Sequence, residues 1–139
     1  MKQIETESEI LKTKLLSDKI VLLQQKFANV LGIIDTFQKI VNSPSDLVDC
    51  TVLDNENIII LDQNGCISCI KLLANSDEET IVSRNIENFK EPSASSIHFS
   101  NIDQVLFVGT NNRECFMMKV GEGYSKVSDR HSVQVMNLK

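Results

Sequence analysis

Residues 49–72 read DCTVLDNENIIILDQNGCISCIKL, and residues 96–119 read SIHFSNIDQVLFVGTNNRECFMMK. Each stretch has the same order: a short apolar run, a polar turn, a longer apolar run, a second turn and a third run. The longer runs begin at Ile58 and Val105, which lie 47 positions apart. This internal repeat indicates, more than any single motif does, how the chain folds.

Repeats of this length that contain three or four short strands are typical of β-propeller blades. The Asn64-Gly65 pair predicts a tight hairpin turn in the first repeat, because these residues accept a positive φ angle. Further strands are predicted at three runs: 80–83, 124–127 and 133–138. We therefore predict that residues 44–139 form an antiparallel β region with two propeller-like blades, at about 48–83 and 94–138.

A different period marks residues 9–42, which contain no proline and one glycine. Eight apolar residues there alternate spacings of four and three, the pattern of a coiled coil or a bundle helix. They are Leu16, Ile20, Leu23, Phe27, Val30, Ile34, Phe37 and Val41. Pro44 would end such a helix, since proline disfavours a helical residue before it. We predict a long amphipathic, coiled-coil-like helix over 1–43 and an α+β fold class, with an incomplete propeller of two blades after the helix.

These eight apolar residues, called the helix seam below, have two interpretations. Toward its end the seam widens, because Leu31, Ile33 and Ile40 join it, and a wide stripe suits a helix buried against several neighbours. One interpretation is that the seam packs on the protein's own strands. The other is that it forms the contact with a protein partner, either another helix or a second copy. We favour the partner, because a helix of this length outreaches two small blades.

Composition excludes several classes of function. Fourteen Lys and Arg residues against 19 Asp and Glu give a formal charge of −5, without a basic cluster, so nucleic-acid binding is not expected. No apolar run approaches the ~20 residues that span a bilayer, and the polar, acidic N-terminus does not resemble a signal peptide. Four cysteines without an export signal are expected to be reduced. We expect a cytoplasmic or nuclear protein with no membrane partner.

One motif has the spacing of a metal or redox site: Cys66-Ile67-Ser68-Cys69. It lies in a predicted strand, where residues three apart point to opposite faces, so two thiols cannot easily hold one ion. His98 lies in an apolar run with no nucleophile pattern. We therefore assign no catalytic, cofactor-binding or metal-binding residue, and we predict that the protein is not an enzyme. A small zinc- or thiol-dependent protein that uses Cys66 and Cys69 is the alternative.

The blade pattern resembles that of WD-repeat propellers, although the Gly-His and Trp-Asp pairs of that family do not occur in the sequence. Two narrower resemblances concern parts of propellers. Residues 91–101, with 109–111 and 118–119, resemble a segment of the citron-homology propeller, which implies binding of small GTPases and other proteins. Residues 49–61, 123–128 and 133–136 resemble the ring-closing segment of the fourth subunit of the anaphase-promoting complex, which implies a place in a large assembly.

Two blades cannot close a ring, because closed propellers use roughly four to eight. Each blade also has two apolar faces that need neighbours. We therefore predict a non-enzymatic protein–protein interaction module or scaffold subunit of a larger complex. Its partners are proteins, bound through helix packing at the seam and through blade completion at the open faces, with self-association as one form. A second alternative is a truncated piece of a longer propeller-containing regulatory protein.

Overall fold

The computed structural model describes residues 9–54, 56–72, 80–86, 89, 94–111, 114–119 and 134–137. Over these residues the fold is all-β. The strands are β1 (Lys12–Leu15), β2 (Lys19–Leu23), β3 (Phe27–Gly32), β4 (Gln38–Asn42), β5 (Leu47–Asp54), β6 (Asn57–Asp62), β7 (Cys66–Lys71), β8 (Thr80–Asn85), β9 (Ala94–Ser100), β10 (Val105–Thr110), β11 (Glu114–Lys119) and β12 (Gln134–Asn137). The described part contains no helix, and so no helix that could cross a membrane.

These strands form three four-stranded antiparallel sheets, each built from strands that follow one another in sequence. We call them the N-terminal sheet (β1–β4), the central sheet (β5–β8) and the C-terminal sheet (β9–β12). Each is an up-and-down meander with its first strand at one edge, which is the build of a propeller blade. The structure therefore supports the prediction of propeller-like blades, and it adds a third blade at β1–β4.

The central sheet lies between the other two, because β5 contacts β1 and β2 on one side and β9 on the other. The core between the N-terminal and central sheets contains Leu16, Val21, Leu23, Ala28, Val30, Leu47, Cys50, Ile58, Ile60, Ile70 and Leu72. The core between the central and C-terminal sheets contains Leu53, Ile59, Leu61, Ile67, Cys69, Ile86, Ala94, Ile97, Phe99, Leu106, Val108 and Phe116.

The apolar run 58–61 in β6 follows from this sandwiched position. Successive side chains on a strand point to opposite faces of the sheet. Ile58 and Ile60 enter the core on the N-terminal side, while Ile59 and Leu61 enter the core on the C-terminal side. All four side chains are at most 4% exposed. A strand covered on both faces has no polar positions to alternate with, which explains the unbroken run.

The long N-terminal helix is a wrong prediction, and with it the α+β fold class. Residues 12–42 form β1–β4, which pair with one another in antiparallel register. Strands of four to six residues separated by short turns place apolar residues at spacings that imitate a heptad. Valine and isoleucine, frequent here, favour strands. The packing of β2 and β3 on the central sheet favours strands over a helix for these residues, because the apolar face of a sheet can pack along the whole neighbouring sheet.

Turn chemistry in the central sheet agrees with the sequence. Gly65 has a φ of +82°, and its backbone N–H donates to the carbonyl of Asp62 at 3.2 Å. The Oδ1 atom of Asp62 also accepts hydrogen bonds from the backbone N–H groups of Asn64 and Cys66, both at 2.9 Å. These bonds fix the turn between β6 and β7.

The outer edge of the C-terminal sheet differs in detail from the predicted one. The strand expected at 124–127 lies outside the described residues. β12 takes the edge position and pairs with β11. It falls within residues 133–138, for which the sequence predicts a final strand.

Candidate interaction surface

Side chains of β5 accept hydrogen bonds from the first strand of the C-terminal sheet. The Oδ2 atom of Asp49 accepts the backbone N–H of Ile97 at 2.9 Å, while its Oδ1 atom accepts the backbone N–H of Cys50 at 2.8 Å. The hydroxyl of Thr51 accepts the backbone N–H of Phe99 at 3.3 Å. Asp49 and Thr51 are both buried. The junction between these two sheets therefore has polar contacts between β5 and β9, the first strand of each sheet, and an apolar core beside them.

These bonds provide acceptors for backbone N–H groups that the C-terminal sheet itself does not pair. β9 is an edge strand, so alternate N–H groups point away from its own sheet. Ile97 and Phe99 carry two such groups, and both residues are buried. A buried N–H without an acceptor costs about 1–3 kcal/mol. Asp49 and Thr51 supply the acceptors, so both N–H groups have partners where the C-terminal sheet packs on the central sheet.

The junction between the N-terminal and central sheets is built differently. In the strand register, Lys12 and Lys14 occupy the positions that Asp49 and Thr51 occupy in the central sheet, and a lysine side chain has no acceptor. Connecting segments provide the polar links here: the backbone N–H of Leu47 donates to the carbonyl of Gln25 at 2.7 Å.

A surface cluster reinforces that connection. The Nζ atom of Lys26 lies 2.9 Å from Oδ1 of Asp46, and Nε2 of Gln25 donates to Oδ2 of the same carboxylate at 3.0 Å. The hydrogen bond from Gln25, followed by that from Lys26, lowers the pKa of Asp46 below its usual value of 3.8. The cluster ties the β2–β3 turn to the segment that enters β5.

The face of the N-terminal sheet that points away from the central sheet, its outer face, carries exposed apolar side chains among the polar Thr13, Asn29 and Gln38, while Leu22 on the same face is buried. It carries the side chains that alternate with the buried Val21 and Val30. Leu15 is 69% exposed and Ile40 51% exposed, although both lie in strands. Ile20 and Leu31 between them are half-buried. An apolar strand face of this kind commonly marks a contact with another protein surface.

β1 at the edge of this sheet also presents backbone donors. The N–H of Leu16 donates to the carbonyl of Lys19 at 2.8 Å. Bonded and non-bonded positions alternate in antiparallel pairs, so the N–H groups of Leu15 and Thr13 point away from β2. They are the counterparts of Phe99 and Ile97 in the C-terminal sheet.

The C-terminal sheet has an outer face as well, on the side away from the central sheet. Phe107, Val105 and Met117 lie there and are half-buried. Ser96 and His98 on β9 are exposed beside them. The face thus combines an apolar centre with two polar side chains on its first strand.

The eight helix-seam residues do not share one face. Leu16, Leu23 and Val30 are buried in the core with the central sheet, and Phe37 and Val41 pack against that core. Ile20 and Phe27 are half-buried on strands, and Ile34 is 88% exposed in the β3–β4 turn. Their role in a partner contact stays a prediction. Sequence reasoning missed Leu15, which follows Lys12-Thr13-Lys14 and directly precedes the seam residue Leu16.

The cysteine pair of β7 lies on two faces. Cys69 is buried in the core with the C-terminal sheet, while Cys66 is half-buried on the opposite face. Burial, with a smaller contribution from Asp54, raises the pKa of Cys69 to about 11. Burial also raises the pKa of Cys66, assisted by Asp62. The described residues hold no group of three His, Cys, Asp or Glu side chains suited to a metal ion.

Comparison with known proteins identifies the fold. The WD40 β-propeller domain of Doa1 superposes with a TM-score of 0.67 at 13% identity, over 89% of this chain and 40% of that one. The structure of U3-55K superposes with a TM-score of 0.71 at 14% identity, over 91% and 41% respectively. The chain thus spans about two-fifths of the length of each solved chain, and its blades are WD40-like.

Sequence comparisons add nothing to this. No family model matches the chain, and no curated protein sequence matches it. The two narrower resemblances, to the citron-homology propeller and to the fourth subunit of the anaphase-promoting complex, receive no support from them.

Proposed function

We propose that the protein is a non-enzymatic interaction module that acts through the two outer faces of its blade stack. The single observation that carries this proposal is the open outer face of the N-terminal sheet, where Leu15 and Ile40 remain exposed within strands. The equivalent face of the central sheet packs on a neighbour, which buries Cys50, Ile58, Ile60 and Ile70. Apolar strand faces gain free energy when they are covered, at about 25 cal/mol per Å² of apolar area.

The likeness to WD40 propellers supports a binding role, because such scaffolds hold partners on rigid blades. The chemistry of the cysteines supports the same assignment. Burial raises the pKa of Cys50 to about 12 and that of Cys69 to about 11, so neither is a thiolate at neutral pH. Nucleophilic thiols need the thiolate form. The zinc- or thiol-dependent alternative is disfavoured on geometry, because Cys66 and Cys69 lie on opposite faces of β7.

Affinity capture with cross-linking tests the proposal. Tagged wild-type chain is compared with Leu15→Asp, which places a charge on the outer face of the N-terminal sheet, and with Ile34→Asp, which places it in an exposed turn. We expect a protein, whether a second copy or another chain, to cross-link to outer-face residues of the wild type and of Ile34→Asp. The cross-link should disappear in Leu15→Asp. An association that Leu15→Asp leaves unchanged would refute the role of this face.

A second candidate is that the chain is one part of a longer propeller-containing protein, whose other blades cover the outer faces. The coverage favours it, since the chain matches 40% and 41% of the two solved chains. Sequencing full-length transcripts tests this candidate: an open reading frame that continues into further strand repeats supports it, and one limited to these three blades contradicts it.

A further inference from the structure

We propose that a second copy of this chain covers both outer faces, so that the C-terminal sheet of each copy packs on the N-terminal sheet of the other. The inference rests on the proposed function above and names the partner. Each copy contributes three blades, and two contacts related by a two-fold axis would close a ring of about six, within the range that propellers use.

The first support is continuity with the junctions already inside the chain. Blade stacking here has a direction: one face of the central sheet receives the N-terminal sheet, and the opposite face receives the C-terminal sheet. Following this direction, within the described residues no blade precedes the N-terminal sheet and none follows the C-terminal sheet. The outer face of the N-terminal sheet is thus the kind of face that packs on a preceding blade, and the outer face of the C-terminal sheet is the kind that packs on a following blade. The two outer faces therefore match each other.

The second support is the set of acceptors on β9. In register, Ser96 and His98 take the positions on the C-terminal sheet that Asp49 and Thr51 take on the central sheet. Both are exposed. A serine hydroxyl and the unprotonated nitrogen of a neutral imidazole accept hydrogen bonds, so the pair can repeat the contact that Asp49 makes to Ile97.

The third support is the set of donors on β1. The N–H groups of Thr13 and Leu15 point away from β2 and are two residues apart, like those of Ile97 and Phe99 on β9. Donors on β1 and acceptors on β9 therefore match in number and spacing. In the two-copy ring, β1 of one copy would donate hydrogen bonds to β9 of the other copy, in the same way that β9 donates to β5 within the chain.

The fourth support is the apolar surface behind these polar edges. Leu15 and Ile40 on the N-terminal sheet are exposed within strands, and Phe107 and Met117 on the C-terminal sheet are only half-buried. Both surfaces lie beside the first strand of their sheet, as the two cores of the chain do. A dimer with two-fold symmetry is the commonest closed assembly, and it satisfies both faces at once.

Native mass spectrometry of the purified chain tests the inference. We expect a species of about 31 kDa, twice the chain mass of 15.6 kDa. Leu15→Asp damages one partner surface and Phe107→Asp the other, so each variant alone should run as a single copy, with association weakened on the order of 100-fold. Phe107→Ala serves as the second variant if circular dichroism shows that Phe107→Asp does not fold.

Mixing the two damaged variants gives the sharpest result. Leu15→Asp keeps an intact C-terminal sheet and Phe107→Asp keeps an intact N-terminal sheet. One of the two contacts can therefore form between them, and a mixed two-copy species should appear although neither variant pairs with itself. If the same face met itself across the axis, only one variant would lose pairing and mixing would restore nothing.

Controls place charges at exposed turns away from both faces. Ile34→Asp, 88% exposed, and Ile102→Asp, 93% exposed, should both keep the two-copy mass. A single-copy wild type, an assembly larger than two copies, or a mixture that does not pair would each overturn the inference. A single-copy wild type that still captures another protein, and loses it in Leu15→Asp, would overturn the second copy while leaving the proposed function intact.

Discussion

The central and N-terminal sheets share one topology but differ in how their faces are covered. The central sheet has a blade on each side, and its apolar side chains at 58–61 are all at most 4% exposed. In the part of the chain that the structure describes, the N-terminal sheet has a blade on one side only, and Leu15 and Ile40 remain exposed. The difference shows that a blade with a neighbour on one side only leaves apolar strand residues exposed on its other side.

Truncation of a side chain in the central sheet should have the largest effect. Ile59 is fully buried in the core with the C-terminal sheet. Ile59→Ala should lower the free energy of unfolding by about 2–5 kcal/mol, through lost burial and a residual cavity. Urea denaturation followed by circular dichroism measures this change. Ile34→Ala in the exposed turn of the N-terminal sheet is the matched control, and an equal loss there would contradict the comparison.

The polar edge of the two junctions offers the next test. Asp49→Ala removes acceptors from the backbone N–H groups of Cys50 and Ile97, and we expect a loss of about 3 kcal/mol. Lys12→Ala changes the corresponding position of the N-terminal sheet, where no acceptor is lost, and should have little effect. Chemical denaturation compares the two. If Asp49→Ala and Lys12→Ala lowered the free energy of unfolding equally, the stabilising role of the Asp49 hydrogen bonds would be contradicted.

A smaller effect is expected at the β6–β7 turn. Gly65 has a φ of +82°, and a Cβ atom there would lie 2.7 Å from the ring of Phe89. Gly65→Ala should therefore lower the unfolding free energy by about 2 kcal/mol. Ser17→Ala in an exposed turn of the N-terminal sheet is the control. Thermal melting checks both variants, and an unchanged melting temperature for Gly65→Ala would show that the turn relaxes freely.

The smallest predicted effect concerns alkaline pH and the cysteines, which the N-terminal sheet does not contain. Burial, helped by Asp49, raises the pKa of Cys50 from 9.0 to about 12 in the folded protein. The unfolded thiol therefore ionises first, and stability that is present below pH 9 falls as the pH rises toward 12. The loss is about 1 kcal/mol near pH 10. Comparing the pH slope with that of Cys50→Ala isolates the thiol; identical slopes would refute the effect.

The blades of the central and C-terminal sheets could be predicted because their turns carry explicit signals. Asp62 and Gly65 form the turn that their sequence indicates, and the run from Ile58 is interrupted by polar residues on both sides. The alignment of the two repeats was less precise. Pairing Ile58 with Val105 would put them on opposite faces, whereas Ile58 and Leu106 are both core residues that face the preceding sheet. A one-residue shift exchanges the faces of a strand.

The N-terminal sheet could not be predicted in this way. Its turns, such as Ser17-Asp18, are short, and they space Leu16, Leu23 and Val30 seven residues apart, as a heptad would. Only the neighbouring sheet distinguishes the two possibilities. The acceptor role of Asp49 was also hidden, since it depends on the backbone of Ile97, which lies 48 positions away along the chain.

The meander order of the strands bears on how the molecule acquires its structure. Every sheet is made from consecutive strands, so pairing closes only short loops and its entropic cost stays low. We expect each blade to form soon after its own residues emerge from the ribosome, with the Asp49–Ile97 bond forming only once the last blade is present. Folding in this order would keep the apolar face of the most recent blade exposed for the shortest time while the chain is being synthesised.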